Sequence, residues 1–159
     1  MENKKLARIL TIVPTTEFIV IHIVNKLFSG AMKTFLLDIG IILLLTLIIF
    51  IKESGKIKGK LIVFTVLSII IPVLFIFNLP ATTYEGGKAI VRNEINSNNV
   101  TFIPKKYISI PITPRNSLFI NDYYYYYAVE VSGEKLFYIV DPADGSVYQL
   151  EQDYFWWDH

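Results

Sequence analysis

The sequence predicts a membrane protein in which N-terminal transmembrane α-helices precede a small extracytoplasmic α+β domain. Three observations predict this class: long apolar segments fill the first half, lysines cluster before the last of these segments, and the second half alternates like β-strands between turn signals. We therefore divide the chain into a transmembrane region, residues 1–79, and an outer domain, residues 80–159.

Three segments are candidate spans, residues 9–28, 34–51 and 61–79. The third is uncharged and close to the ~20 apolar residues that a bilayer requires. The second carries only Asp38, near one end. The first is interrupted by Pro14, Glu17 and His22, so it either crosses the bilayer or lies in the interface. A two-span chain therefore stays open beside the three-span one.

The distribution of lysine and arginine predicts the orientation. Three spans place the N-terminus and the connection at residues 52–60 in the cytoplasm, with seven Lys/Arg there against Lys26 and Lys33 outside. Both the two-span and the three-span chain leave the C-terminal domain outside. We expect a multi-pass protein of the cell membrane, with the lipid bilayer as its first partner.

Composition excludes several kinds of site. The chain has no cysteine, which removes disulfides, thiol catalysis and cysteine-zinc sites. Residues 80–159 carry a formal charge of −4 and no basic stripe, so nucleic acid is not an expected partner. No phosphate-binding loop, zinc-protease motif or nucleophile elbow occurs, and of the two histidines one is terminal. We expect no enzyme activity and no cofactor.

The outer domain reads as a helix followed by an antiparallel meander. Residues 85–97 predict the helix, because Val91 and Ile95 lie one turn apart. Alternating or β-rich stretches predict strands at residues 107–112, 123–131, 136–141 and 146–150. Pro111 places the first of these strands at an edge. Residues 132–134 and 141–145 are tight-turn sequences that contain Gly133 and Gly145.

This outer domain resembles a PepSY domain. The similarity covers about residues 85–150 and is carried by Tyr125-Tyr-Tyr-Ala-Val-Glu-Val131, Gly133-Glu-Lys-Leu-Phe-Tyr-Ile-Val-Asp141 and Pro-Ala-Asp-Gly145-Ser-Val147. The resemblance implies a non-enzymatic interaction module that restrains a peptidase or binds an extracellular ligand. Frequent Ile, Lys and Asn and the absence of Cys suggest a bacterial source. A cystatin-like domain with similar hairpins is the alternative topology.

The turn at Asp141, Asp144 and Gly145 has a structural and a metal-binding interpretation. An Asp side chain caps such turns, and glycine supplies a positive φ. Calcium requires six to eight oxygen ligands, and no further carboxylates stand at a suitable spacing. We therefore interpret these residues as structural and expect no metal.

Aromatic residues are the candidate binding groups of the outer domain. Tyr123, Tyr125 and Tyr127 share one face of the predicted strand, where an exposed row would form a binding surface. The alternative is that they belong to a small core. Near the C-terminus, Trp156 and Trp157 either dock on the sheet, lie at the headgroup level or contact a partner.

Three polar residues fall within the predicted spans, namely Glu17, His22 and Asp38. A charge in hydrocarbon costs ~2.5–3.5 kcal/mol on insertion scales, so each requires a reason. His22 and Asp38 fall at depths that allow a hydrogen-bonded pair. Glu17 has no obvious charged partner, and we interpret it as marking a protein–protein contact within the membrane.

Two functions remain. In the first, the chain is a membrane-anchored binding or regulatory module that acts at the extracytoplasmic face on a peptidase or peptide. In the second, it is a small accessory subunit of a transporter or immunity-type assembly, with intramembrane contacts through Glu17 and Asp38. Both functions require a membrane or cell-surface protein partner.

Overall fold

The computed structural model describes residues 2–53, 57–96, 99–114 and 117–156. Within them the chain forms two compact units. The first contains the residues through Lys26 together with Lys33–Leu79, and the second contains Leu27–Met32 and the chain from Pro80 onward. The predicted boundary after residue 79 therefore coincides with a unit boundary, but the short segment Leu27–Met32 belongs to the second unit as well.

The first unit is helical. Its helices are α1 (Glu2–Leu27), α2 (Phe35–Glu53) and α3 (Ile57–Phe77). All three are long and apolar enough to cross a membrane, over Lys4–Leu27, Phe35–Lys52 and Ile57–Phe77. This confirms three long apolar helices, including the polar-interrupted first one. That helix begins well before residue 9, since its basic N-terminal flank is also helical.

Helices α2 and α3 approach each other closely at a glycine. A Cβ atom at Gly40 would meet the Ile71 side chain at 3.0 Å. Small residues allow such close approach between helices in apolar surroundings. At the ends near residues 50–60, Lys60 Nζ donates a 3.1 Å hydrogen bond to the Phe50 carbonyl oxygen.

The second unit is an antiparallel sheet with one helix packed on it, as predicted. The helix is α4 (Tyr84–Ile95), and the strands are β1 (Val100–Ile103), β2 (Ser109–Pro111), β3 (Tyr123–Val131), β4 (Glu134–Val140) and β5 (Val147–Leu150). Their order is β1-β3-β4-β5, and β2 pairs with the same edge of β3 as β1 does. The edge position expected from Pro111 is confirmed.

Two details differ from the predicted outer domain. Strand β1 lies in a stretch where we predicted no strand, although its Val-Thr-Phe-Ile sequence has β-forming residues. Helix α4 ends at Ile95 and is capped by Asn96 in the left-handed conformation, with φ of 50°. Asparagine tolerates that conformation better than most residues, so it ends the helix before residue 97.

The predicted turns are confirmed. Ser132 and Gly133 connect β3 to β4 with φ values of 53° and 87°, the two positive values that a type I′ hairpin requires. The next turn is held by Asp141, whose Oδ1 accepts a 2.7 Å hydrogen bond from the Ala143 N–H. Gly145 has φ of 78°, and Asp144 Oδ1 accepts a hydrogen bond from the Ser146 N–H at 2.8 Å.

Candidate functional site

Strand β3 runs through the middle of the sheet domain, and both of its faces are covered. On one face Tyr125, Tyr127 and Val129 join a core cluster with Val91 of α4. On the other face Tyr126 and Ala128 pack against Ile110 and Phe155. Both faces are therefore covered over the middle of the strand, one by α4 and the other by the C-terminal segment.

The three tyrosines predicted as a binding row lie on the helix-covered face. Tyr125 and Tyr127 are 0% and 1% exposed, and Tyr123 is half-buried. The Tyr127 hydroxyl donates to the Tyr84 carbonyl oxygen at 2.7 Å, and the two rings stack with centroids 4.8 Å apart. Tyr125 and Tyr127 are therefore part of the small core, and this face has no exposed row of tyrosines.

The short segment Leu27–Met32 completes the core on that face. Ala31 is fully buried there, and Phe28 packs against the same cluster. The hydroxyls of Tyr125 and Tyr123 donate to the carbonyl oxygens of Phe28 and Ser29, at 2.6 and 2.9 Å. Burial raises the pKa of Tyr123 to about 12, so this hydroxyl keeps its donor proton at neutral pH.

Asn121 fixes the same segment from its other side. Its Nδ2 donates to the carbonyl oxygens of Gly30 and Met32, at 2.6 and 3.2 Å. Its backbone N–H donates to the Ala31 carbonyl oxygen at 2.8 Å, and Met32 forms a β-bridge with Ile120. The connection between α1 and α2 is thus an integral part of the sheet domain.

A buried carboxylate holds the C-terminal turn on the opposite face of the sheet. Asp153 accepts hydrogen bonds from Lys105 Nζ at 2.7 Å, the Tyr126 hydroxyl at 2.5 Å and the Phe155 N–H at 2.9 Å. Burial alone would raise the pKa of Asp153, but these three donors outweigh it and lower the pKa to about 2. Asp153 is therefore ionised over the physiological pH range.

Beside this carboxylate lies a cleft of about 450 Å³, the main candidate site of the outer domain. It lies between the β1–β2 loop, strand β4 and the C-terminal turn. Its lining residues are Ile103, Pro104, Lys105, Lys106, Tyr107, Lys135, Phe137, Asp153 and Phe155. The floor is aromatic and the rim carries lysines, so the cleft combines apolar contact area with charged groups.

Of the two tryptophans predicted as binding residues, the structure describes only Trp156. Trp156 is 67% exposed and lines a neighbouring cavity of about 480 Å³ together with Tyr154 and Leu150. Trp157 lies outside the described residues. Trp156 is exposed, and its contact with lipid headgroups or with a partner protein stays a prediction.

Of the three polar residues predicted within the spans, His22 and Asp38 lie close together. His22 Nε2 is 3.8 Å from Asp38 Oδ1, too long for a hydrogen bond but close enough for a loose ion pair. Asp38 Oδ2 accepts a 3.0 Å hydrogen bond from Thr34. Glu17 Oε2 and Ser68 Oγ are buried, and neither has a hydrogen-bond partner within the described part of the chain. The proposed intramembrane contact at Glu17 stays a prediction.

Sequence reasoning missed the cleft because its parts are far apart in the chain. Lys105 and Asp153 are separated by 48 positions, and no local spacing pairs them. The only sequence signal was the dense aromatic composition near the C-terminus. Within residues 2–53, 57–96, 99–114 and 117–156, no group of three or more His, Cys, Asp or Glu side chains could hold a metal ion.

Comparison of this chain with protein-family models, with curated proteins and with solved structures finds no match.

Proposed function

We propose that this chain is a non-enzymatic, membrane-anchored binding module whose outer domain takes a peptide or protein segment into the cleft beside Lys105 and Asp153. The cleft is the observation that carries the proposal. Its volume of about 450 Å³ is in the range of small-ligand pockets, and its floor is formed by Phe137 and Phe155. Aromatic residues are over-represented in surfaces that bind other proteins.

The lysines on the rim define the ligand further. Lys105 is neutralised by Asp153, whereas Lys135 is exposed at the cleft and adds positive charge to it. A ligand with an apolar side chain for the floor and a carboxylate for the rim complements this arrangement. The PepSY resemblance of residues 85–150 supports the same kind of function, an interaction with an extracellular peptide or peptidase.

The state of Asp153 favours binding over catalysis. Its pKa of about 2 makes it a weak base at neutral pH, and its oxygens already accept three hydrogen bonds. General bases work best with a pKa near the operating pH. Asp153 instead positions the C-terminal turn that forms one wall of the cleft.

Chain connectivity supports an extracytoplasmic position for the cleft. The segment Leu27–Met32 belongs to the sheet domain, so both ends of the α2–α3 hairpin connect to this domain. If the three apolar helices span the bilayer, α1 also ends on the side of the sheet domain. The excess of lysine and arginine at the opposite helix ends then assigns that opposite side to the cytoplasm.

Site-specific photocrosslinking in the native cell tests the proposal. A benzophenone amino acid replaces Tyr107 at the cleft, or Tyr148 as a matched exposed tyrosine outside it. We expect an adduct at position 107 that is absent at 148 and that Lys135→Glu abolishes. No adduct at 107, equal adducts at both positions, or an adduct that survives Lys135→Glu would show that the cleft is not the binding site.

The accessory-subunit function is the second candidate, and the buried polar atoms of the helical unit favour it. Glu17 Oε2, Asp38 Oδ1 and Ser68 Oγ have no hydrogen-bond partner among the described residues. Unsatisfied polar groups are costly in apolar surroundings, so a partner helix that supplies donors would stabilise the assembly.

Co-purification in mild detergent tests this second candidate. We expect Glu17→Leu and Asp38→Asn to release a stoichiometric membrane partner. Thr46→Val is the control, because the Thr46 hydroxyl already donates to the carbonyl oxygen of Ile42 in its own helix. A partner that stays bound to both variants, or no partner at all, would exclude the subunit interpretation.

A further inference from the structure

A further cavity lies in the helical unit, at the helix ends away from the α1–α2 turn. Its volume is about 360 Å³, and it is lined by Lys4, Ala7, Arg8, Thr11, Ile48 and Lys52. Nothing in the proposed function of the outer domain uses it. Its lining is cationic at the rim and apolar below.

Helix periodicity brings these residues together. Lys4 and Arg8 stand four positions apart on α1, and so do Ala7 and Thr11, so all four lie along one side of the helix. Ile48 and Lys52 have the same spacing on α2, which runs back from the short α1–α2 turn. The N-terminal end of α1 and the C-terminal end of α2 therefore contribute to one cavity.

The lining of this cavity includes three cations and no acidic residue. Lys4, Arg8 and Lys52 are exposed. Beneath them Ala7 and Ile48 are 5% and 7% exposed. Three positive charges around one cavity repel each other, and an anion between them would reverse that repulsion.

We propose that this cavity binds the phosphate headgroup of an anionic phospholipid. A guanidinium binds phosphate with two parallel hydrogen bonds, and lysine adds point charges from either side. Basic pockets between transmembrane helices are a known site type for anionic headgroups. The apolar floor and the neighbouring apolar helix surfaces accommodate the glycerol and the start of the acyl chains, which a soluble phosphate does not have.

This inference depends on insertion of the three helices in a bilayer and not on the cleft of the outer domain. Failure of the crosslinking experiment above therefore leaves it unaffected. Conversely, loss of lipid binding at this cavity leaves the proposed ligand cleft untouched.

Native mass spectrometry of the full chain, purified with a mixture of phosphatidylglycerol and phosphatidylcholine, tests the proposal. We expect the wild type to retain phosphatidylglycerol in preference to phosphatidylcholine. The variant Lys4→Gln/Arg8→Gln/Lys52→Gln should lower retained phosphatidylglycerol at least about tenfold, since each basic residue near an anionic surface contributes on the order of a fewfold and the three contributions multiply. Excess glycerol 3-phosphate should not displace the lipid.

A matched variant distinguishes lipid binding at the cavity from a general effect of the positive charge of the protein. Lys5→Gln/Lys26→Gln/Lys58→Gln removes the same charge from exposed positions that do not line the cavity, and it should retain the lipid as the wild type does. Three outcomes would overturn the proposal: equal loss in both triple variants, equal retention of the two lipids by the wild type, or displacement by glycerol 3-phosphate. Circular dichroism checks that both variants keep the wild-type fold.

Discussion

The Tyr125 hydroxyl donates a 2.6 Å hydrogen bond to the carbonyl oxygen of Phe28, a residue 97 positions earlier in the chain. The connection between the first two helices is thereby built into the core of the sheet domain, with Ala31 fully buried beside it. A domain cut at residue 80 would lose this part of its core. The natural unit of stability therefore includes the connection between α1 and α2 together with the chain from Pro80 onward.

Tyr125→Phe should destabilise the sheet domain by about 1 kcal/mol. The substitution removes the donor of a part-buried hydrogen bond, and the Phe28 carbonyl oxygen keeps only the Ala31 N–H at 3.0 Å. Thermal unfolding of the full chain, followed by near-ultraviolet circular dichroism, measures the change. Tyr148→Phe, at a 51% exposed position, should leave the midpoint unchanged. Equal midpoints for Tyr125→Phe and the wild type would mean that this bond contributes nothing.

Asp153 should make the sheet domain sensitive to acid. Its folded-state pKa of about 2 lies below the ordinary aspartate pKa of 3.8, so its contribution is complete above about pH 4 and is lost as the pH falls toward 2. The shift corresponds to about 2 kcal/mol. Asp153→Asn should be less stable than the wild type at pH 7, and its stability should fall less between pH 5 and 2.

Urea unfolding at a series of pH values measures this difference. Glu151→Gln is the matched control, since Glu151 is an exposed carboxylate of the same segment, and it should retain the wild-type pH profile. Parallel pH profiles for Asp153→Asn and the wild type would contradict the assignment of the acid-sensitive group.

Gly87→Ala should destabilise the packing of α4 on β3. A Cβ atom at Gly87 would overlap the Tyr127 hydroxyl and lie 2.9 Å from its Cζ, and both residues are buried. Overpacking of this kind typically costs about 1–3 kcal/mol. Gly59→Ala, with nothing within 4 Å of the new Cβ, should be neutral or stabilising. Thermal melting compares the two variants, and a wild-type midpoint for Gly87→Ala would show that the helix shifts freely on the sheet.

The topology predicts which single cysteines a membrane-impermeant maleimide labels in intact cells. The wild-type chain has no cysteine, so each introduced thiol is the only target. Glu134→Cys and Lys26→Cys should react in intact cells, because Lys26 directly precedes the segment Leu27–Met32 of the sheet domain. Lys5→Cys and Lys58→Cys should react only after permeabilisation. If one of positions 134 and 26 reacts in intact cells and the other only after permeabilisation, α2 and α3 do not form a spanning hairpin.

Much of the fold was predictable because its signals are local. The apolar length of residues 61–79, the alternation of residues 123–131 and the glycines at positions 133 and 145 each act over a few neighbouring residues. Strand β1 was missed because four residues with β propensity carry little pattern without a visible partner strand. The candidate cleft was not predictable, since its ion pair joins residues 48 positions apart.

The sequence by itself determined that three apolar helices precede a helix and an antiparallel meander, because hydrophobic length, periodicity and turn chemistry are properties of neighbouring residues. It did not determine which face of β3 would meet α4, since Tyr123–Tyr127 offers tyrosine to both faces. Only the tertiary structure decided that Tyr125 and Tyr127 are core residues and that Phe155 covers Tyr126. The reason is that burial depends on segments brought together from distant parts of the chain, the α1–α2 turn on one face and the C-terminal turn on the other.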